Sequence, residues 1–266
     1  MRILSILWHI SSYFRLQFKI RYNTIWNTDF IFSTRRTALF SGKLPHIMGR
    51  YKYSEEERTR IITTFLRCTR DIIEFEGIDH VSIRRISQAA GFNSATIYLY
   101  FKDADELITL ACMGYLENYC RTLAADIPHL TTPREIYLHT WRVFGQHAFA
   151  HPQIFQHLFF HEHSRRLNEI VARYYEIYPS QLMASDGTIR DMLLEGDLKD
   201  RNLRILRPLA EHMGLSAEHT NMINDLTVCY FKMLLEEHRY EAGSLACERQ
   251  VQRLLRVIEF LFEEAM

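Results

Sequence analysis

Apolar residues recur through most of the chain at three- and four-residue steps, the spacing of helices with one buried face. The first stripe is Ile61, Phe65, Cys68, Ile72 and Phe75. Ser54 reads as its N-cap, Glu55, Glu56 and Glu57 suit the positive end of the helix dipole, and Gly77 supplies the stop. A short helix follows, capped by Ser82, with Ile83, Ile86, Ala89 and Ala90 turned inward and Gly91 at its end. Asn93 or Ser94 caps a third short helix through Phe101. Asp103 opens a longer one to about Ala125, with Leu107, Ala111, Gly114 and Leu116 among its apolar positions, and Pro128 closes it.

The pattern stays helical to the end. Thr132 caps a helix running to about Ala150, with Pro133 at the first helical position, where its missing N–H costs nothing. Pro152 opens another that ends near His163, and residues 165–178 form the next, stopped by Pro179. Further helices are expected at 189–195, 198–213, 217–241 and 245–264, with Gly243 and Ser244 punctuating the last join. There is no repeat, no low-complexity run and no sustained β alternation, so the predicted fold is all-α.

Composition agrees: 266 residues, 47% hydrophobic, with only 10 Gly and 6 Pro, disfavour a collagen-like or many-turned all-β chain. The five cysteines (Cys68, Cys112, Cys120, Cys229, Cys247) are odd in number and form no CxxC pair. They read as reduced thiols of a cytoplasmic protein, not as a disulfide framework or zinc ribbon.

Charge changes the picture more. Lys+Arg and Asp+Glu are both 32, yet residues 1–47 hold seven basic groups and one acid. Residues 3–14 are uncharged but too short to span a bilayer, which takes about 20 residues. No clean signal peptide is visible either. The expectation is a leader that is either disordered or a false start, with translation beginning at Met48; a membrane-surface arm is the alternative. The expected domains are therefore the leader 1–47, a DNA-binding domain 48–103 and a larger helical domain 104–266. Residues 48–102 hold nine basic and seven acidic groups, whereas 103–266 hold 16 basic and 24 acidic. Only the first of these segments would attract a polyanion.

That segment contains SIRRISQAAGFNSATIYLYFK at 82–102: short helix, Gly turn, short helix, as a helix-turn-helix requires. Small residues are needed where the two helices cross, and Ala89 and Ala90 are available. Ile86, Ile97 and Phe101 would lock the unit to the first helix. Asn93, Ser94, Ala95, Thr96, Tyr98 and Tyr100 then lie at the front of the second helix, where it would enter a major groove. Tyr98 and Tyr100 are two apart and cannot share a face, so one packs; Tyr98 is the favoured DNA-facing residue.

These residues resemble the TetR family of bacterial transcriptional regulators. The resemblance rests on the Ala89–Ala90–Gly91 turn, Thr96–Ile97–Tyr98, Tyr100–Phe101–Lys102, and the following Asp103, Asp105, Glu106 and Leu107. It implies a three-helix DNA-binding domain followed by a helical domain that binds an effector and dimerises. It also implies phosphate or base contacts for Ser82, Thr96, Tyr98 and Lys102. Where the family often carries a lysine, this chain has Ser94, and another common lysine is Ala104; Arg50, Lys52, Arg84 and Arg85 are candidate replacements.

Two further stripes bear on assembly: Met222, Ile223, Leu226, Tyr230, Met233 and Leu234, and Val251, Leu254, Leu255, Ile258, Leu261 and Phe262. Paired with their two-fold mates they would form a four-helix dimer interface, as a palindromic operator needs; alternatively they are core. Trp141, Phe144, Phe149, Phe155, Phe159, Phe160, Tyr174 and Tyr175 crowd the middle helices, with Trp141, Phe144, Phe155, Phe159 and Tyr174 as candidate pocket residues, or ordinary core. Six histidines fall within 139–163, and His147/His151 and His157/His161 have i, i+4 metal-ligand spacing. Solvated or core histidines are the plainer reading, with His157 and His161 as weak metal candidates.

The implied function is a ligand-responsive, sequence-specific DNA-binding regulator, a repressor by family habit, released from its operator by a small-molecule effector. No cofactor, membrane partner or catalytic activity is expected. The alternatives are a metal-responsive regulator built on the 139–163 histidines and an all-α metal-dependent enzyme.

Overall fold

Ser54 closes a full capping box: its hydroxyl accepts the Glu57 N–H at 3.2 Å, and the Glu57 carboxylate accepts the Ser54 N–H at 2.8 Å. This starts α1 (Glu55–Glu76) in a computed structural model that describes residues 54–161, 164, 166–179, 197–241 and 243–264. All of them belong to one compact unit, Lys52–Met266. The leader over 1–47, Arg50, Lys52 and the helix expected at 189–195 lie outside the described residues.

Among the described residues every regular element is helical. After α1 come α2 (Ile83–Ala90), α3 (Ser94–Ile97), α4 (Ala104–Asp126), α5 (Pro133–Ala150), α6 (Pro152–Phe160), α7 (Leu167–Ile177), α8 (Leu198–Met213), α9 (Ala217–Glu237) and α10 (Ser244–Glu263). Local chemistry sets most starts. Asp103 caps α4 through the Glu106 N–H at 2.8 Å, and Thr132 and Glu135 form a second capping box at α5. Asp197 caps α8 by accepting two N–H groups.

Helix α4 is the axis. Its buried positions, including Leu107, Leu110, Met113, Leu116 and Leu123, go most of the way round, because α1 covers one end while α5, α6 and α7 cover the rest. Helix α10 lies along α5 and α9, and α8 packs on α5 and α9. None of the described helices is long and apolar enough to cross a membrane.

Several expectations need correction. Phe75 is 82% exposed: the buried flank of α1 carries Leu66 and Ile73, and Phe75 falls on the opposite flank. Ala89 is exposed, because the packed stripe of α2 runs Ile83, Ile86, Ser87, Ala90 at three- and four-residue steps. Helix α3 is one α-turn, with residues beyond it tightened: the Leu99 and Tyr100 N–H groups bond to the carbonyls three residues back. Helices α6 and α9 also stop earlier, at Phe160 and Glu237.

Candidate nucleic-acid interface and effector pocket

Gly91 joins α2 to α3 in the left-handed region, φ +73°, while the Phe92 N–H returns to the Ser87 carbonyl at 2.9 Å. The crossing point is a hydroxyl pair: Ser87 Oγ lies 2.8 Å from Ser94 Oγ. Ser94, expected at the DNA, is thus tied into the crossing. Below, Ile86, Ile97 and Phe101 are buried, and the Phe65 ring lies 5.2 Å from Phe92 and 6.2 Å from Phe101.

This base leaves a defined front. Asn93 caps α3 by accepting the Ala95 N–H at 2.9 Å. Asn93, Ala95, Tyr98 and Lys102 are exposed and Thr96 is half-buried; Tyr98 is 58% exposed. Leu99 beside it is also exposed, an apolar residue that sequence reasoning passed over. Tyr100 is corrected: it is buried, with the Arg58 guanidinium 6.0 Å from its ring centre, so it cannot reach a groove. On α2, Ser82 accepts the Arg85 N–H at 3.3 Å and Arg84 is exposed. Arg85 is not a free phosphate ligand: it pairs with Glu76, whose carboxyl the guanidinium holds below its ordinary range, and donates to the His80 carbonyl.

One arginine of the body reaches the end of this unit. Arg173 of α7 donates to the Tyr100 carbonyl, pairs with Glu106, and stands 5.2 Å from the Phe101 ring centre.

Deeper in the body, Tyr119, Trp141, Phe144, Phe159, Leu198 and Ile205 line a small pocket together with Thr140, Arg201 and Asn202. Its volume is about 30 Å³, room for a water or two. Trp141 Nε1 donates to Asn202 Oδ1 at 2.9 Å, and buried Arg201 stands 5.4 Å from the Phe159 ring centre. Nearby, Tyr137 Oη, Thr227 Oγ1 and Asn202 Nδ2 are buried without closing a hydrogen bond. Burial pushes the Tyr137 hydroxyl up to about 12, moderated by the polar groups of Thr227, Asn202 and Trp141.

Trp141, Phe144 and Phe159 are therefore at the pocket, and two candidates are corrected. Phe155 stands behind the wall, its ring 5.5 Å from Phe144. Tyr174 belongs to a separate aromatic group with Tyr175 and Tyr178, and its hydroxyl donates to Glu117 at 3.1 Å. Sequence reasoning missed Arg201 and Asn202, because two polar residues in a charged helix give no signal of burial.

The two interface stripes separate. On α9, Met222, Leu226 and Met233 are exposed and Tyr230 is half-buried. On α10, Val251, Leu254, Leu255 and Ile258 are buried in the chain's own core, which leaves them no surface for a second copy; Leu261 is half-buried. Gly145 on α5 allows this close approach, since a Cβ there would lie 3.3 Å from Val251 Cγ2.

The histidines scatter. His139 lies 2.9 Å from Asp126, His147 lies 3.2 Å from the Thr122 hydroxyl, and the His151 ring packs on Tyr115. His157 and His161 stay together, ring centres 5.1 Å apart; His163 is outside the described residues.

Residues 66–110 match the family model for bacterial regulatory proteins of the tetR family. Among solved structures, RolR in complex with resorcinol is 15% identical, covering 77% of this chain and 90% of its own, with a TM-score of 0.50. Thermus thermophilus FadR, a TetR-family repressor in complex with lauroyl-CoA, is also 15% identical, covering 74% and 92%, at 0.47. A putative tetR-family regulator from Shewanella sp. PV-4 is 12% identical, covering 74% and 95%, at 0.44. Among curated proteins, none matches in sequence. The helix-turn-helix expected at 82–102 lies inside the matched segment, whose described elements are all helical, so this part of the chain is similar to bacterial regulatory proteins of the tetR family.

Proposed function

We propose that the chain is a ligand-responsive repressor that binds a palindromic operator as a homodimer and leaves it when a small effector enters the body. The observation that carries the DNA reading is the front of α3: Asn93, Ala95, Tyr98, Leu99 and Lys102 are exposed on a turn whose opposite side is fixed by Ile86, Ile97 and Phe101. A rigid base with a solvated front suits a helix that must hold register in a groove. Ser82, Arg84 and Thr96 flank that front and supply phosphate contacts, with Arg50 and Lys52 as further basic candidates.

The exposed Met222, Leu226 and Met233, with half-buried Tyr230 between them, supply the dimer face on α9. The effector site is the pocket bounded by Trp141, Phe144 and Phe159, with Asn202 and Thr140 as hydrogen-bond partners. Aromatic walls with a few polar groups suit a small ring bearing oxygen substituents, which enters only if the walls part, since the closed pocket holds no more than a water or two; RolR, which shares the fold, is solved with resorcinol. An effector that binds more tightly to the non-operator conformation shifts the dimer off DNA by linkage alone.

The test is fluorescence anisotropy with the DNA upstream of the protein's own gene. A saturable, sequence-specific complex that weakens steeply with salt is expected. Equal affinity for scrambled DNA overturns the reading.

A further inference from the structure

The end of α6 faces the first turn of α4. Asp103 in that turn caps the helix and Glu106 is engaged by Arg173, while Asp105 turns toward two histidines. Asp105 Oδ1 lies 3.4 Å from His161 Nδ1 and 3.9 Å from His157 Nε2, and one donor atom from each of the three residues falls within 4.8 Å of the others. His157 and His161 are one helical turn apart, their planes inclined by only 33°. The side chains of Asp105 and His157 are mostly covered and that of His161 is 56% exposed, so the cluster opens to solvent on one side.

We infer that Asp105, His157 and His161 form a binding site for one divalent transition-metal ion, zinc or its neighbours, with solvent completing the coordination. Bonds of about 2.0–2.1 Å in a tetrahedron place donor atoms roughly 3.3–3.4 Å apart. The Asp105–His161 pair already has that spacing. The Asp105–His157 pair must close by about half an ångström, within reach of a small side-chain rotation on the tetrahedral geometry. Two imidazoles with one carboxylate favour zinc, cobalt or nickel over magnesium and calcium, which prefer all-oxygen shells. The Thr109 hydroxyl, 2.9 Å from His157 Nε2, holds the position the ion takes, so it competes with the metal and is not a ligand.

The site joins residues 52 apart in sequence, Asp105 and His157, and the helix that carries Asp105 is capped by Asp103, the residue after Lys102. A bound ion would fasten α6 to the turn that carries the helix-turn-helix. This assignment stands apart from the effector reading.

Zinc titrated calorimetrically into the full-length, tag-free chain should saturate at one ion per chain, and cobalt should give the visible absorption of a low-coordinate site. His161→Ala and Asp105→Asn should each weaken zinc binding at least tenfold. His151→Ala, outside the cluster, should leave it unchanged, and thermal unfolding of each apo variant checks the fold. Absence of saturable binding, or equal affinity in the His161→Ala and Asp105→Asn variants, overturns the site. Operator binding by the apo chain, measured in the same preparations, is expected either way, so failure here is distinguishable from failure of the regulator reading.

Discussion

The Arg173 guanidinium stands 5.2 Å from the centre of the Phe101 ring while its nitrogens engage the Tyr100 carbonyl and Glu106. One body side chain thereby holds the residues just after α3 and the first turn of α4. Arg173→Ala should lower stability by about 1.5–3 kcal/mol, the range for hydrogen bonds to charged groups. It should also weaken the coupling between effector and operator. Arg173→Lys keeps the charge but loses the planar fork, so it should rescue little. Denaturant unfolding and anisotropy with and without effector read the two effects; unchanged coupling in Arg173→Ala removes the role.

Tyr98 and Phe101 are three residues apart and should behave oppositely. Tyr98 is exposed, so Tyr98→Ala should change stability by less than about 0.5 kcal/mol while cutting operator affinity. Phe101 is buried, and Phe101→Ala should cost about 3–5 kcal/mol. Urea denaturation with parallel DNA titrations separates them.

Leu226→Glu or Met233→Glu places a charge on the exposed α9 stripe. Each should shift the protein to monomer in sedimentation velocity with little loss of fold. Leu254→Ala, in the core, should instead destabilise by about 2–5 kcal/mol. Dimers that survive both acidic substitutions would move the interface elsewhere.

Burial lowers the His147 and His151 pKa values below 6.5, with neighbouring His151 adding to the effect on His147. Their folded states resist protonation more than the unfolded chain does. Stability from these two groups is therefore present above about pH 6.5, the unfolded value, and declines as pH falls toward their lower folded values. His147→Gln with His151→Gln should flatten the acid side of the stability profile, read by thermal melts between pH 7.5 and about pH 5, where an unperturbed histidine is fully charged.

Burial pushes the Cys120 thiol up to about 12 and raises Cys112 further, whereas Cys229 is exposed on α9. A thiol reagent should label Cys229 quickly in the Leu226→Glu monomer, where the α9 stripe it shares with Met222 and Met233 is free, and reach Cys112 and Cys120 only on unfolding. Rapid modification of Cys112 in the native protein would contradict the packing of α4.

The helix starts were legible because their causes are local. Ser54 with Glu57, and Thr132 with Glu135, carry their capping partners three residues away, and Gly91 sits where the turn needs φ above zero. The helix-turn-helix was legible for the same reason. What could not be read was which surface each apolar stripe meets. Val251, Leu254 and Ile258 have the spacing of an interface and of a core alike, and only the approach of α10 to α5 at Gly145 decides. Arg201 and Asn202 carried no signal of burial, and Asp105 lies 52 residues from His157, so neither the polar side of the pocket nor the third candidate ligand could be paired in advance.

Trp141 is the only tryptophan among the described residues; Trp8 and Trp26 both fall in the first 47. Its ring lines the pocket and its N–H is spent on Asn202. A chain beginning at Met48 would thus carry a single tryptophan, in the wall of the proposed effector pocket and hydrogen-bonded to Asn202. The protein would report its own occupancy by emission, with no dye attached.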